Sequence, residues 1–360
     1  MKVKQKNLNK PCLISCNECK LYTKYCNGLK NIKYSSEGIY VLKRQLPKIL
    51  NTIDRFENLE TVTIKTPFNG TFPKFIPQIG LNDKRTFYWL FDPSLKETFN
   101  TIMIRFDHIG TIKNLANKLI KYRFPKKIII STVMPDNKLD ALNPSIYVTK
   151  LNAINRIMSK QGYMLIATTI DTYTYIDDPP LLSWSKTMES IIKAHKLANS
   201  KIPLIGIVKG ADKKQIELSI NKLSEMGFKC LAFTCRELME QKNYNLLKFT
   251  VNKIHAASSK CLLIGFNSLR LLTRIPFIDY FSGLNWFRSA IYGRIYLGLK
   301  RKKNNLKNLR FKVRRTEKIA VQNLRAIKLL LESFEKQTLV ENFCFRGDMN
   351  WAVQDIVQNN

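Results

Sequence analysis

The stretch Ile202-Pro203-Leu204-Ile205-Gly206-Ile207-Val208-Lys209-Gly210 is a short apolar run bounded by turn residues, and an amphipathic pattern over 213–226 follows it. A second run, Cys230-Leu231-Ala232-Phe233, leads into a helical pattern over 243–257, and a third, Cys261-Leu262-Leu263-Ile264-Gly265-Phe266, comes next. Buried strands alternating with amphipathic helices specify parallel pairing, because each helix is the crossover that a parallel connection needs. Working outward, β-rich segments are expected at 38–42, 61–64, 86–91, 101–106, 127–132, 163–170 and 277–281, with another helix at 185–198. So many repeats favour an α/β fold of the closed (β/α)8 TIM type over an open doubly wound sheet.

A barrel of this kind carries its reactive groups at the C-terminal ends of its strands. Asp171, Lys209 and Asn267 follow the expected strands 163–170, 203–208 and 261–266, and Asp279 falls within or at the end of the last strand. All four are therefore expected at one mouth. The chain has no GxGxxG or Walker-type glycine loop, which argues against a dinucleotide or ATP as ligand.

The chain of 360 residues carries 60 Lys and Arg against 27 Asp and Glu, a formal net charge of +33. This excess goes beyond what solubility needs and implies a polyanionic partner, because neutralised phosphates release counterions. Residues 300–318 hold ten basic side chains and one acid, Glu317, so the charge is locally concentrated. Lys300, Arg301, Lys302, Lys303, Arg310, Arg314 and Arg315 are the candidate phosphate contacts. Behind them Ile319, Leu324, Ile327, Leu330, Leu331 and Phe334 form the apolar stripe of an expected helix. No apolar run is long enough to span a bilayer and no signal-peptide core begins the chain, so no membrane partner and a cytoplasmic location are expected. Oligomeric state is open, a homodimer included.

Of the eight cysteines, Cys230, Cys235, Cys261 and Cys344 stand among apolar neighbours and read as small buried hydrophobes. Cys12, Cys16, Cys19 and Cys26 are spaced C-x3-C-x2-C-x6-C, which in a reducing compartment points to thiolate metal ligands, zinc ahead of an iron–sulfur cluster. The expected organisation is a metal-binding knot over 1–36, the barrel over 37–296 and a basic helical extension over 297–360. His108, His195 and His255 show no metal spacing.

Several segments in order resemble the tRNA-guanine transglycosylase (queuine/archaeosine) superfamily. Ile205-Gly206-Ile207-Val208-Lys209-Gly210 is similar to that family's GIVQGG, Gly227-Phe228-Lys229-Cys230-Leu231-Ala232-Phe233 to its GFxGYAIGG, and Leu262-Leu263-Ile264-Gly265 to its YLMGVG. Ile278-Asp279-Tyr280-Phe281-Ser282, with Arg288, Ala290 and Gly293-Arg294 beyond it, resembles IDMFDCVxPTRxARxGR.

The resemblance implies base exchange in nucleic acid, in which a carboxylate attacks the ribose anomeric carbon and the incoming base opens the glycosyl-enzyme. It implies Asp171 as the carboxylate reading the purine edge, and Lys209, Gly210, Asn267 and Arg288 as further substrate contacts. The family's nucleophile position is Ser282 here, so Asp279 is the expected nucleophile, with Asp136 as general base. Lys209 stands where the family has glutamine, and the family's C-terminal zinc site is missing. The compact chain is closest in character to members that install 7-deazaguanines, such as 7-cyano-7-deazaguanine, into DNA. The expectation is a pentosyltransferase acting on DNA ahead of tRNA. The alternatives are a tRNA-guanine transglycosylase, an inactive nucleic-acid-binding paralogue, and a radical S-adenosylmethionine enzyme using the N-terminal cysteines.

Overall fold

The computed structural model describes residues 12–22, 24–26, 34–266, 268–297, 300–303 and 312–344. Eight parallel strands close a barrel in sequence order. They are β1 (Phe75–Ile79), β2 (Thr101–Arg105), β3 (Lys127–Ser131), β4 (Met164–Thr168), β5 (Leu204–Val208), β6 (Cys230–Thr234), β7 (Lys260–Ile264) and β8 (Tyr280–Gly283). Closure is made by β8 on β1, with Phe75 opposite Phe281 and Ile76 opposite Ser282.

The helices are α1 (Ser36–Glu57), α2 (Pro93–Thr98), α3 (Ile112–Lys121), α4 (Asp136–Asp140), α5 (Pro144–Ser159), α6 (Pro180–Lys196), α7 (Lys213–Glu225), α8 (Arg236–Glu240), α9 (Tyr244–Ala256), α10 (Asn285–Ile291) and α11 (Lys312–Cys344). Two compact units make up the chain: 1–84 with 99–284, which holds the whole barrel, and 85–98 with 285–360. In the second unit β9 (Arg294–Leu297) pairs antiparallel with β10 (Lys300–Lys303), and Asn323 of α11 donates its side-chain amide to the Trp286 and Arg294 carbonyls. Among the described residues, no helix is long and apolar enough to cross a membrane.

Side chains of a strand alternate between faces, so every second residue points into the barrel. Ile76, Met103, Ile129, Ile166, Ile205, Ile207, Ala232, Leu262 and Ile264 fill it as one buried cluster. Phe68 and Phe72, stacked at 4.3 Å, join the same cluster, with Phe72 edge-on to Tyr280 at the start of β8. Packing therefore fills the interior, and polar chemistry is confined to the strand ends.

Three early segments differ from expectation. Residues 38–42 lie in α1, because Ser35 caps the helix by accepting the Gly38 N–H and because Leu42, Ile49, Ile53 and Phe56 recur at helical spacing against Leu181, Trp184 and Met188 of α6. Burying that stripe outweighs the β-branched preference of Ile39 and Val41. Residues 61–64 form no strand, and the stretch at 86–91 is a 3-10 helix, Lys84–Phe91. The true first strand, Phe75–Ile79, contains Pro77, which can donate no ladder hydrogen bond. Pro77 sits where β1 passes from pairing with β8 to pairing with β2.

Candidate functional site

Asp171 follows β4, Lys209 follows β5, and these strands are neighbours, so the two side chains meet at the barrel mouth. Lys209 Nζ lies 2.9 Å from Asp171 Oδ1, and the residues are only 8% and 3% exposed. Hydroxyls hold the loop beneath them. The Asp171 N–H donates to Thr132 Oγ1 at 2.9 Å, Thr132 Oγ1 donates to the Thr169 carbonyl at 2.7 Å, and the Thr132 N–H donates to Thr168 Oγ1 at 3.1 Å. Burial pushes the Asp171 carboxyl up, and the Lys209 charge with the Thr172 N–H does not cancel that rise. The carboxyl is thus kept closer to its proton than an exposed one.

The β5 loop is fixed from below. Lys209 donates its backbone N–H to Ser219 Oγ at 3.0 Å, and Gln215 links the Ala211 N–H at 2.8 Å to Ser183 Oγ at 2.9 Å. Gly210 has a packing reason of its own: a Cβ there would come within 2.6 Å of the Ile216 nitrogen.

Acidic and basic groups join the β2, β3 and β4 loops along the same rim. Arg105 grips Asp107 through two donors at 2.9 and 2.6 Å, and Lys138 adds a third at 2.8 Å. Burial would raise Asp107, but these donors outweigh it and hold the carboxyl below the ordinary range. Asp136 opens α4, is half-buried, and accepts the Tyr175 hydroxyl at 2.6 Å. Asp140 accepts the Tyr173 hydroxyl at 3.0 Å and lies 3.4 Å from Lys186, whose ammonium stands 4.0 Å over the Tyr173 ring. Asp178 accepts the Tyr175 N–H at 3.1 Å, and burial, with Asp177 and Glu237 adding repulsion, pushes it up to about 6. Two buried polar atoms at this end have no protein partner, Thr234 Oγ1 at the end of β6 and His108 Nδ1 after β2. Groups of this kind favour a polar ligand.

Asp279 is elsewhere. It precedes β8, at the N-terminal end of the barrel, where its carboxylate lies 3.1 Å from Lys260 Nζ and accepts the Cys261 N–H at 2.8 Å. The sequence placed it at the mouth because the last strand was expected at 277–281, whereas that strand runs Tyr280–Gly283. The shift of three residues moves Asp279 to the opposite end from Asp171. Ser282 lies within β8, fully buried, with its hydroxyl 3.3 Å from Met103 Sδ. Arg288 is exposed on α10 in the second compact unit. Asn267 and Arg310 lie outside the described residues, as do the side chains of Lys300, Arg301, Lys302, Lys303, Arg314 and Arg315.

Cys12, Cys16, Cys19 and Cys26 are half-buried, and Cys12, Cys19 and Cys26 pack against the α1–α6 core. Burial, with the nearby thiols Cys26, Cys19 and Cys16 adding to it, pushes the Cys12 thiol up to about 11 despite the opposing effect of the Leu181 backbone in the first turn of α6. As placed, no three His, Cys, Asp or Glu side chains among the described residues form a ligand set for a metal. The donor set is all sulfur, which suits zinc. Asp107 was missed in the sequence. Its signal was a position just past an apolar run, Thr101-Ile102-Met103-Ile104-Arg105-Phe106, but no motif marks it.

No protein-family model and no curated protein sequence matches the chain. Solved structures that share some of its form include a cube-shaped, highly porous protein cage designed by fusing symmetric oligomeric domains, 9% identical, covering 79% of this chain and 80% of that one at a TM-score of 0.40. An HpcH/Hpal aldolase/citrate lyase family protein from Burkholderia cenocepacia J2315 is 12% identical, covering 62% and 93% at a TM-score of 0.38. A native KDPGal structure is 11% identical, covering 74% and 100% at a TM-score of 0.37. Likeness this loose bears on neither substrate nor chemistry.

Proposed function

We propose that the barrel mouth binds a guanine-type base and that the chain is a base-exchange pentosyltransferase acting on nucleic acid, DNA ahead of tRNA. The observation that supports it is the buried Asp171–Lys209 pair, which sets an acceptor beside a donor at 2.9 Å. A guanine or 7-deazaguanine edge offers the complement, a ring N–H beside a carbonyl oxygen: Asp171 accepts the first through its other oxygen and Lys209 donates to the second. In exchange, the N9–C1′ bond to guanine breaks and a C1′–N9 bond to the incoming base forms. The proton of the incoming N9–H is balanced by the one taken up by guanine.

The attacking carboxylate must share this mouth. Asp107 has both oxygens engaged by Arg105 and Lys138. Asp136 accepts Tyr175 through Oδ2, leaving Oδ1 for attack, and is the candidate nucleophile. The four N-terminal thiols are the proposed zinc ligands, drawn together on binding. A binding-only paralogue is the second reading, favoured by the burial of Ser282 at the family's nucleophile position.

The test is equilibrium binding of 7-cyano-7-deazaguanine to the wild-type chain and to Asp171→Asn. The amide should weaken binding by about tenfold or more, the cost of a charge-assisted hydrogen bond. Equal affinities would place the base elsewhere.

A further inference from the structure

We infer that the groove between α1 and α6 is a phosphate-binding track for a nucleic-acid strand. Lys48 and Arg55 of α1, seven residues apart and so on one face, line a cavity of about 480 Å³ opposite Lys193 and Lys196 of α6. A second cavity, of about 330 Å³, shares Asn51, Arg55, Ile192 and Lys196 with the first, so the depression continues along both helices. A continuous trough fits an extended strand with regularly spaced phosphates, not a single small anion.

The charges there are largely unspent. Glu189 is the one acid lining the larger cavity, and it is already held by Lys193 at 3.0 Å and Lys186 at 3.6 Å. Among the described residues, Lys48, Arg55 and Lys196 take part in no salt bridge. Arg55, Lys196 and Lys48, whose charge also acts on Glu189, stand in a concave site on a chain of net charge +33, and together they attract a polyanion and hold it by counterion release. The partner shares its class with the base-exchange proposal, but the track stands on α1 and α6 alone and survives if the mouth does no chemistry.

The test uses the full chain, fluorescent single-stranded and duplex oligonucleotides of one length, and a salt titration. Lys48→Glu/Arg55→Glu/Lys196→Glu is compared with a matched reversal at the exposed Lys113, Lys121 and Lys229. The groove variant should lose at least about tenfold in affinity, and its log–log salt slope should flatten by about 0.7 per lost single-strand contact or about 0.9 per duplex contact. The matched variant should keep its slope. Should the triple reversal lose its far-UV signal, Lys48→Ala/Arg55→Ala/Lys196→Ala gives the same comparison with less repulsion. Equal losses in both sets, or wild-type affinity in the groove variant, would overturn the track. Groove-dependent binding to phosphatidylserine vesicles with none to oligonucleotides would assign the surface to membrane instead.

Discussion

Asp171 and Lys209 lie 38 residues apart in sequence and 2.9 Å apart in space, joined because β4 and β5 are adjacent and end at the same mouth. Neither charge is well solvated there, so each depends on the other. A buried pair is weak evidence of stability, but breaking one is costly.

Lys209→Met leaves the Asp171 carboxyl buried without its cation and should cost about 3–5 kcal/mol in urea unfolding. Adding Asp171→Asn should recover a large part of that loss. A single variant as stable as the wild type would mean that the pair is not what holds the mouth.

Asp279→Asn should lower stability by about 1–3 kcal/mol, since the carboxylate contacts both Lys260 and the Cys261 N–H at the N-terminal end of the barrel. Base binding at the mouth should be unchanged. If the substitution abolished base binding while leaving thermal unfolding unaltered, its place in the fold would be misread.

Asp178, pushed up to about 6 from 3.8 by burial, holds its proton in the folded chain over a range where the unfolded chain has released it. The folded state therefore loses stability as pH rises through that window, and loses none below it, where both states are protonated. Asp178→Asn keeps an oxygen for the Tyr175 N–H. It should stabilise the protein by up to about 3 kcal/mol above pH 7 and by nothing near pH 3.5. Melting curves at the two pH values decide the matter, and a gain that did not change with pH would refute the linkage.

Cys12, Cys16, Cys19 and Cys26 should bind about one equivalent of zinc. Cys12, Cys19 and Cys26 pack against the α1–α6 core, so the metal site and that core are coupled. Chelation should lower the melting temperature. Unchanged metal content in Cys16→Ser/Cys19→Ser would remove the assignment, and an anaerobic absorption band between about 350 and 450 nm would indicate iron–sulfur ligation instead.

The barrel strands were legible where they are continuous apolar runs, from β2 to β7. Lys209 and Asp171 followed, because a residue just past a strand end has only one place to go. The first strand was hidden by Pro77, and α1 by the β-branched Ile39 and Val41, whose local preference gives way to packing on α6. Asp279 was misplaced by a register error of three residues, which in a strand about four residues long is enough to exchange one end of a barrel for the other. The Asp107–Arg105–Lys138 cluster carries no motif, since it joins the end of β2 to α4, two elements that only the fold brings together.

The most direct measurement is transfer of labelled 7-cyano-7-deazaguanine into guanine-containing DNA and tRNA by the full chain, with Asp136→Asn and Asp279→Asn alongside. Label should enter polymer with the wild type and with Asp279→Asn, and Asp136→Asn should reduce the rate by about a thousandfold or more, as loss of an attacking group does. No incorporation into either polymer by the wild type, together with base affinity indifferent to Asp171→Asn, would contradict a base-exchange site at this mouth.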